Sequence, residues 1–159
     1  MKIALPTLIA GVAVAGVAFT TTADTMEGHT IVPPQEIKWA PAPDVLPPGA
    51  KAAVLFGDPD KEGLFVLRLR FPAGYRVAPH THPVYEVVTV ISGTFYKGMG
   101  ETADPRKAQA LPAGSFFALP PDTAHYVFME EETVIQISTN GPWGLTYINP
   151  KDDPRQKSQ

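Results

Sequence analysis

Between residues 64 and 71, apolar residues alternate with Arg68 and Arg70, the period-two pattern of a strand with one buried and one wet face. Similar short apolar stretches recur at 52–56, 85–91, 94–97, 115–119, 124–129, 133–138 and 145–148, and Gly, Pro or Asp separates most of them. No stretch keeps a helical stripe over three turns. The pattern predicts an all-β sandwich or barrel over residues 52–150, with no internal repeat and no domain boundary inside it. Residues 103–110 are charged and Ala-rich, and are expected to form one helical turn or a hairpin loop. Ahead of the barrel, residues 24–51 carry six prolines from Pro33 to Pro48 and read as an extended arm that crosses the domain or joins a partner. Within it, 31–32 and 37–39 are candidates for short edge strands, where proline is tolerated. The polar end, 151–159, is expected to be disordered and solvated.

The first 23 residues belong to a different class. Lys2 is followed by an apolar run from Ile3 to Phe19 and then by polar residues leading to Ala23 and Asp24. A basic start, an apolar stretch and a small residue before the polar region predict a signal peptide, cleaved after Ala23 or alternatively after Ala18. An uncleaved anchor is the competing reading, and Pro6 with the weak hydrophobicity of Ala and Gly argues against it. The protein is therefore expected to be periplasmic or secreted. The formal charge of −3 gives no reason to expect a nucleic-acid partner. The absence of cysteine excludes disulfides and thiolate metal sites, so any metal must be held by N and O ligands.

Candidate chemistry concentrates in one stretch. His80, His82 and Glu86 stand at i, i+2 and i+6, which on a single extended strand would share a face. Two imidazoles and a carboxylate pointing one way can close on a divalent metal, and His125 from a neighbouring strand would complete the set.

These residues resemble a known family. Gly74-x5-His80-x-His82-x3-Glu86-x6-Gly93 is similar at every fixed position to the first motif of the cupins. Gly114-x5-Pro120-x-Asp122-x2-His125-x3-Met129 resembles the second motif with two departures. Asp122 stands where Gly is usual, at a turn expected to need a positive φ, and Asp tolerates that better than most residues. Met129 replaces a terminal Asn, which makes the pocket softer and less polar. The resemblance implies a single double-stranded β-helix of the jelly-roll type, with His80, His82, Glu86 and His125 as ligands of one divalent transition metal. Mn, Fe, Ni and Zn all suit that donor set. The Trp39-Ala-Pro41 arm and the ending from Tyr147 to Pro150 are similar to those of exported single-domain cupins.

Around the metal, Tyr96 and Gln136 are the expected polar residues facing the cavity, with Ser138 a weaker candidate. Val84, Val88, Val90, Val127 and Met129 are expected inside, and Tyr85 outside. One of Phe116 and Phe117 should line the pocket, and Trp143 should plug or cap the barrel mouth. His29 is read as solvated, and Arg68 and Arg70 as wet-face residues. The function implied is a metal-dependent enzyme, dioxygenase-like, lyase or isomerase, acting on a small oxygenated molecule. The alternative is a cupin that binds a metal and a small ligand without catalysis. The expected partners are that small molecule and, through the arm, a second copy in a homodimer, with no stable membrane anchor.

Overall fold

Phe65, Leu67, Leu69 and Phe71 point to one side of a nine-residue strand and are almost fully buried, while the residues between them are half-buried on the other face. The period-two reading of this segment holds, and the strand is the spine of the fold. The computed structural model describes residues 29–158, so the expected signal peptide lies outside the described residues. Among the described residues eleven strands run in chain order: β1 (Ala40–Pro41), β2 (Lys51–Phe56), β3 (Gly63–Phe71), β4 (Arg76–Thr81), β5 (Glu86–Ser92), β6 (Thr94–Met99), β7 (Gln109–Pro112), β8 (Phe116–Leu119), β9 (His125–Phe128), β10 (Thr133–Gly141) and β11 (Thr146–Tyr147). They form a six-stranded sheet in the order β1-β2-β3-β10-β5-β8 and a five-stranded sheet in the order β11-β4-β9-β6-β7. All pairings are antiparallel. This is the expected all-β jelly roll.

The core lies between the two sheets. Val88, Val90, Ile135 and Ile137 join the β3 residues from one side, and Val77, Phe95, Val127 and Met129 come from the other. Each large side chain removed from water there contributes on the order of 1.5–3 kcal/mol, so this layer dominates the stability of the barrel.

Several local expectations are corrected. The arm forms its bridge at Ala40–Pro41 against β2, not at 31–32 or 37–39, and a 3-10 turn occupies Pro34–Glu36. It folds back on its own barrel: Leu46 and Ala50 are buried, and the Val45 and Pro47 carbonyls accept from the Tyr147 and Tyr75 hydroxyls. Within 103–110 only Pro105–Lys107 is a 3-10 turn, and Gln109 already begins β7. The polar end is not a loose tail as far as it is described. It makes 3-10 turns at Pro150–Asp152 and Pro154–Ser158, and buried Asp153 accepts from the Arg155 guanidinium at 2.6 Å. Among the described residues no helix is long and apolar enough to cross a membrane.

Gly98, on β6, is required by its cross-strand partner. A Cβ there would sit 2.0 Å from the Tyr126 ring, which lies over the glycine and donates its hydroxyl to the Asp104 carbonyl at 2.5 Å. Gly98→Ala is expected to push that ring aside and break the bond, destabilising the protein by about 2 kcal/mol. Urea denaturation checks this, with Tyr126→Phe, expected to cost about 1 kcal/mol, as the control for the hydrogen bond alone.

Candidate metal centre

The ligand candidates are not delivered by one strand. His80 is near the end of β4, His82 follows it, a turn at 83–85 reverses the chain, and Glu86 opens β5 in the other sheet. Closure therefore comes from the two sheets facing each other, and the shared-face argument from strand parity is replaced by sandwich packing. His125 opens β9 directly opposite His80. The turn that brings in His125 is tied to the first motif, because the Asp122 amide donates to the His82 carbonyl at 2.9 Å. Asp122 has φ 58°, the positive value expected of that position.

All four side chains are buried: His80 3 %, His82 4 %, Glu86 5 % and His125 1 % exposed. One nitrogen of each of His80, His82 and His125 lies within 4.8 Å of the others, so this triad could hold a metal ion. Each Nδ1 lies within hydrogen-bond reach of a main-chain carbonyl: His80 to Ala78 at 2.7 Å, His82 to Gly144 at 2.6 Å and His125 to Thr123 at 3.0 Å. A carbonyl can only accept, so in the neutral ring Nδ1 carries the proton and Nε2 presents a lone pair. Glu86 stands among them, with its carboxylate oxygens 3.1 Å from His125 Nε2 and 3.5 Å from His82 Nε2. Despite that approach, His82 Nε2, His125 Nε2 and Glu86 Oε2 make no hydrogen bond. Three buried acceptor atoms thus converge with no donor between them. Such a cluster is costly in a low-dielectric interior unless a cation joins it. A divalent metal with N and O preference fits.

Burial, together with the His125 and His82 imidazoles, pushes His80 down to about 3. Burial also lowers His82. For Glu86, burial acts upward, whereas the charge that the His125, His82 and His80 imidazoles carry once protonated acts downward and prevails, lowering the carboxyl. At neutral pH the site thus presents His80 and His82 as free bases beside an ionised carboxylate, the protonation states a metal requires. The sign for the metal-free protein follows. As pH drops below 6.5 the unfolded His80 takes a proton that the folded one refuses, so stability is complete above that pH and falls towards pH 3. Thermal melts of the metal-free protein between pH 6 and 5 should show a loss of about 1.2 kcal/mol from His80, and His80→Asn should flatten that slope.

The cavity at the ligands is about 20 Å³, walled by Leu69, Phe71, Phe95, Ile135 and Leu145 among others. That is room for about one water or an ion. Trp143 lines it and stacks on His82 with ring centroids 5.1 Å apart, as the expected cap. Phe117 is the inward phenylalanine, stacked on Phe95 at 5.8 Å, and Phe116 is 62 % exposed. Val88, Val90, Val127 and Met129 are buried as expected, Val84 only half so, and Tyr85 is exposed.

The two polar cavity candidates are not in the cavity. Tyr96 stacks on Phe128 on the outer face of its sheet and donates to Glu130 at 3.2 Å. Gln136 accepts from Arg68 at 3.0 Å and donates to Ser138 at 3.3 Å, all three on the outer face of the larger sheet. Strand parity decides both cases, since their neighbours Phe95, Ile135 and Ile137 fill the core. Arg70 lies over the Trp39 ring, and His29 is exposed. The same parity turns Lys97 inward beside Phe117, a polar residue the sequence reading passed over. Its place two positions after the apolar Phe95 was the available signal.

Comparison with known proteins agrees with this geometry. Residues 29–146 match the family described as "Domain of unknown function (DUF4437)". The chain belongs to the DUF4437 family. No curated protein sequence matches it. Its fold is that of the cupins. An RmlC-like cupin from Shewanella frigidimarina superposes with a TM-score of 0.52 at 18 % identity, covering 67 % of this chain and 86 % of the other. KdgF from Halomonas sp. gives 0.55 at 21 %, covering 70 % and 95 %. The polyketide cyclase RemF from Streptomyces resistomycificus gives 0.62 at 14 %, covering 82 % and 93 %. At these identities the likeness is one of fold, and this DUF4437 chain places His80, His82 and His125 within that barrel.

Proposed function

We propose that this chain is a metal-dependent cupin enzyme acting on a small oxygenated molecule, with one divalent ion held by His80, His82, Glu86 and His125. The observation that carries the reading is the convergence of His82 Nε2, His125 Nε2 and Glu86 Oε2, buried and without donors. When bound, such an ion supplies Lewis acidity towards an oxygen group and, if redox-active, electrons for dioxygen chemistry. The protein's own residues do the rest. The carbonyls of Ala78, Gly144 and Thr123 fix the imidazole tautomers, and Trp143, Phe95 and Leu145 exclude water.

A second reading, metal and ligand binding without turnover, is favoured by one feature. With Tyr96 and Gln136 outside, the cavity walls hold no acid or base beyond the ligand candidates themselves. Metal analysis of the protein purified without chelator, alongside His82→Ala, separates these readings. About one Fe, Mn or Ni per chain, lost in the variant, supports the enzyme and justifies an oxygen-consumption screen. Zinc would favour binding or hydrolysis, and no metal after reloading would overturn both.

Export and a homodimer complete the proposal. Export rests on the leader pattern of residues 1–23, and an intact Met1 on the protein recovered from cells would remove it. For the dimer, the arm is engaged with its own barrel, but Phe56, Leu64, Ile91 and Phe116 leave apolar surface on the outer face of the six-stranded sheet. A monomeric mass by light scattering would remove it.

A further inference from the structure

β6 sends Phe95 and Lys97 to the same side, and Phe95 is buried between Phe71 and Phe117. Lys97 therefore reaches into the seam between the two sheets. Its main chain pairs with Val127, and Met99, two positions further along β6, pairs with His125 while its own side chain is exposed at the rim of the barrel. The amine lies 5.2 Å from the centre of the Phe117 ring and 3.2 Å from Met99 Sδ. Lys61, Arg106 and Arg155 each pair with an aspartate, whereas Lys97 has no carboxylate within 4.0 Å among the described residues. A ring face and a thioether attract an ammonium weakly and do not neutralise it. Half-burial lowers the amine's pKa, and the Glu86 carboxylate acts in the opposite direction.

We propose that Lys97 is the anion-binding arm of the metal centre, pairing with a carboxylate of a substrate whose other oxygen group lies against His125 and Glu86. This rests on the metal reading above and narrows its substrate class to small organic acids. An anionic ligand approaching Glu86 meets like charge, and an ammonium on the same side offsets that repulsion. The flexible four-carbon stem can leave Phe117 to meet a ligand without moving the barrel. The small cavity, whose walls do not include Lys97, admits only the ligating end of such an acid.

The rival explanation is a stem that packs on Phe117 while its amine reaches for water. The two differ in anion binding. The full chain is loaded with Co(II), whose visible absorption reports the ligand set, and titrated with oxalate as an anionic probe and imidazole as a neutral one. Lys97→Met is expected to keep the Co(II) stoichiometry, spectrum and imidazole affinity, while oxalate binds about tenfold or more weaker. Lys97→Gln should match it if Met packs badly, and Lys97→Arg should restore most of the oxalate affinity. Equal oxalate affinity in wild type and both neutral variants would overturn the proposal and leave the metal reading standing. Failure of wild type to bind Co(II) would overturn both.

Discussion

One divalent ion per chain is expected to raise the melting temperature by about 10 °C, and Glu86→Gln is expected to abolish the rise while preserving the metal-free fold. The first half follows from mass action. An ion present at a hundred times its dissociation constant stabilises the folded state by about 2.7 kcal/mol. For a domain of this size each kcal/mol is worth about 4 °C. The second half follows from shape. A glutamine amide fills the volume of the Glu86 carboxylate between His125 and His82, but it carries no charge for the ion. Its NH₂ can instead donate to the unpartnered Nε2 of His125, which keeps the metal-free barrel closed. Scanning calorimetry with Mn(II) or Zn(II), and again with excess EDTA, gives the answer. A full metal increment in Glu86→Gln would take that residue out of the ligand set, and no increment in wild type would count against any metal.

Phe95→Ala is expected to cost about 3–5 kcal/mol, a large part of what a domain of this kind has to lose. Phe95 is 2 % exposed, contacts the rings of Phe71 and Phe117, and walls the cavity that holds His80, His82 and Glu86. Its removal opens a void beside the ligands and frees Phe117, on which Lys97 rests. Loss of metal affinity should therefore accompany loss of stability. Phe95→Leu, which keeps most of the volume, should cost about 1–1.5 kcal/mol and retain the metal. Urea denaturation of the metal-free proteins measures the first effect and metal titration the second. A cost below 1 kcal/mol for the alanine variant would mean that the cavity collapses and the ring is not the keystone argued here.

Much of the barrel is legible in the chain because its strands obey a two-residue period wherever one face is buried. β3 is visible as alternation and β9 as a short apolar stretch, and the turns that separate strands announce themselves through Gly, Pro and Asp. What escaped was short and local. β7 begins directly after a 3-10 turn in a polar segment, and its few residues carry too little pattern to be seen. The arm's bridge falls on Ala40–Pro41 because pairing to β2 at an exposed edge, not β propensity, selects it. The end of the chain is ordered by one buried aspartate and its arginine, a contact that polarity alone suggests is solvent.

The spacing of His80, His82, Glu86 and His125 pointed to a metal-type site, and the structure brings His80, His82 and His125 together as a cluster that could hold an ion. Strand parity placed Phe65, Val88 and Val127 inside, since a one-residue slip would expose every core side chain. Only the tertiary structure decided how the ligands meet, through two facing sheets and a turn between His82 and Glu86, not along one strand. It also turned Tyr96 and Gln136 outward, brought Lys97 to the seam and closed Trp143 over His82. Those outcomes depend on which residues lie across a sheet or a cavity from one another. Cross-sheet proximity is a property of the packed barrel, and no local stretch of chain encodes it.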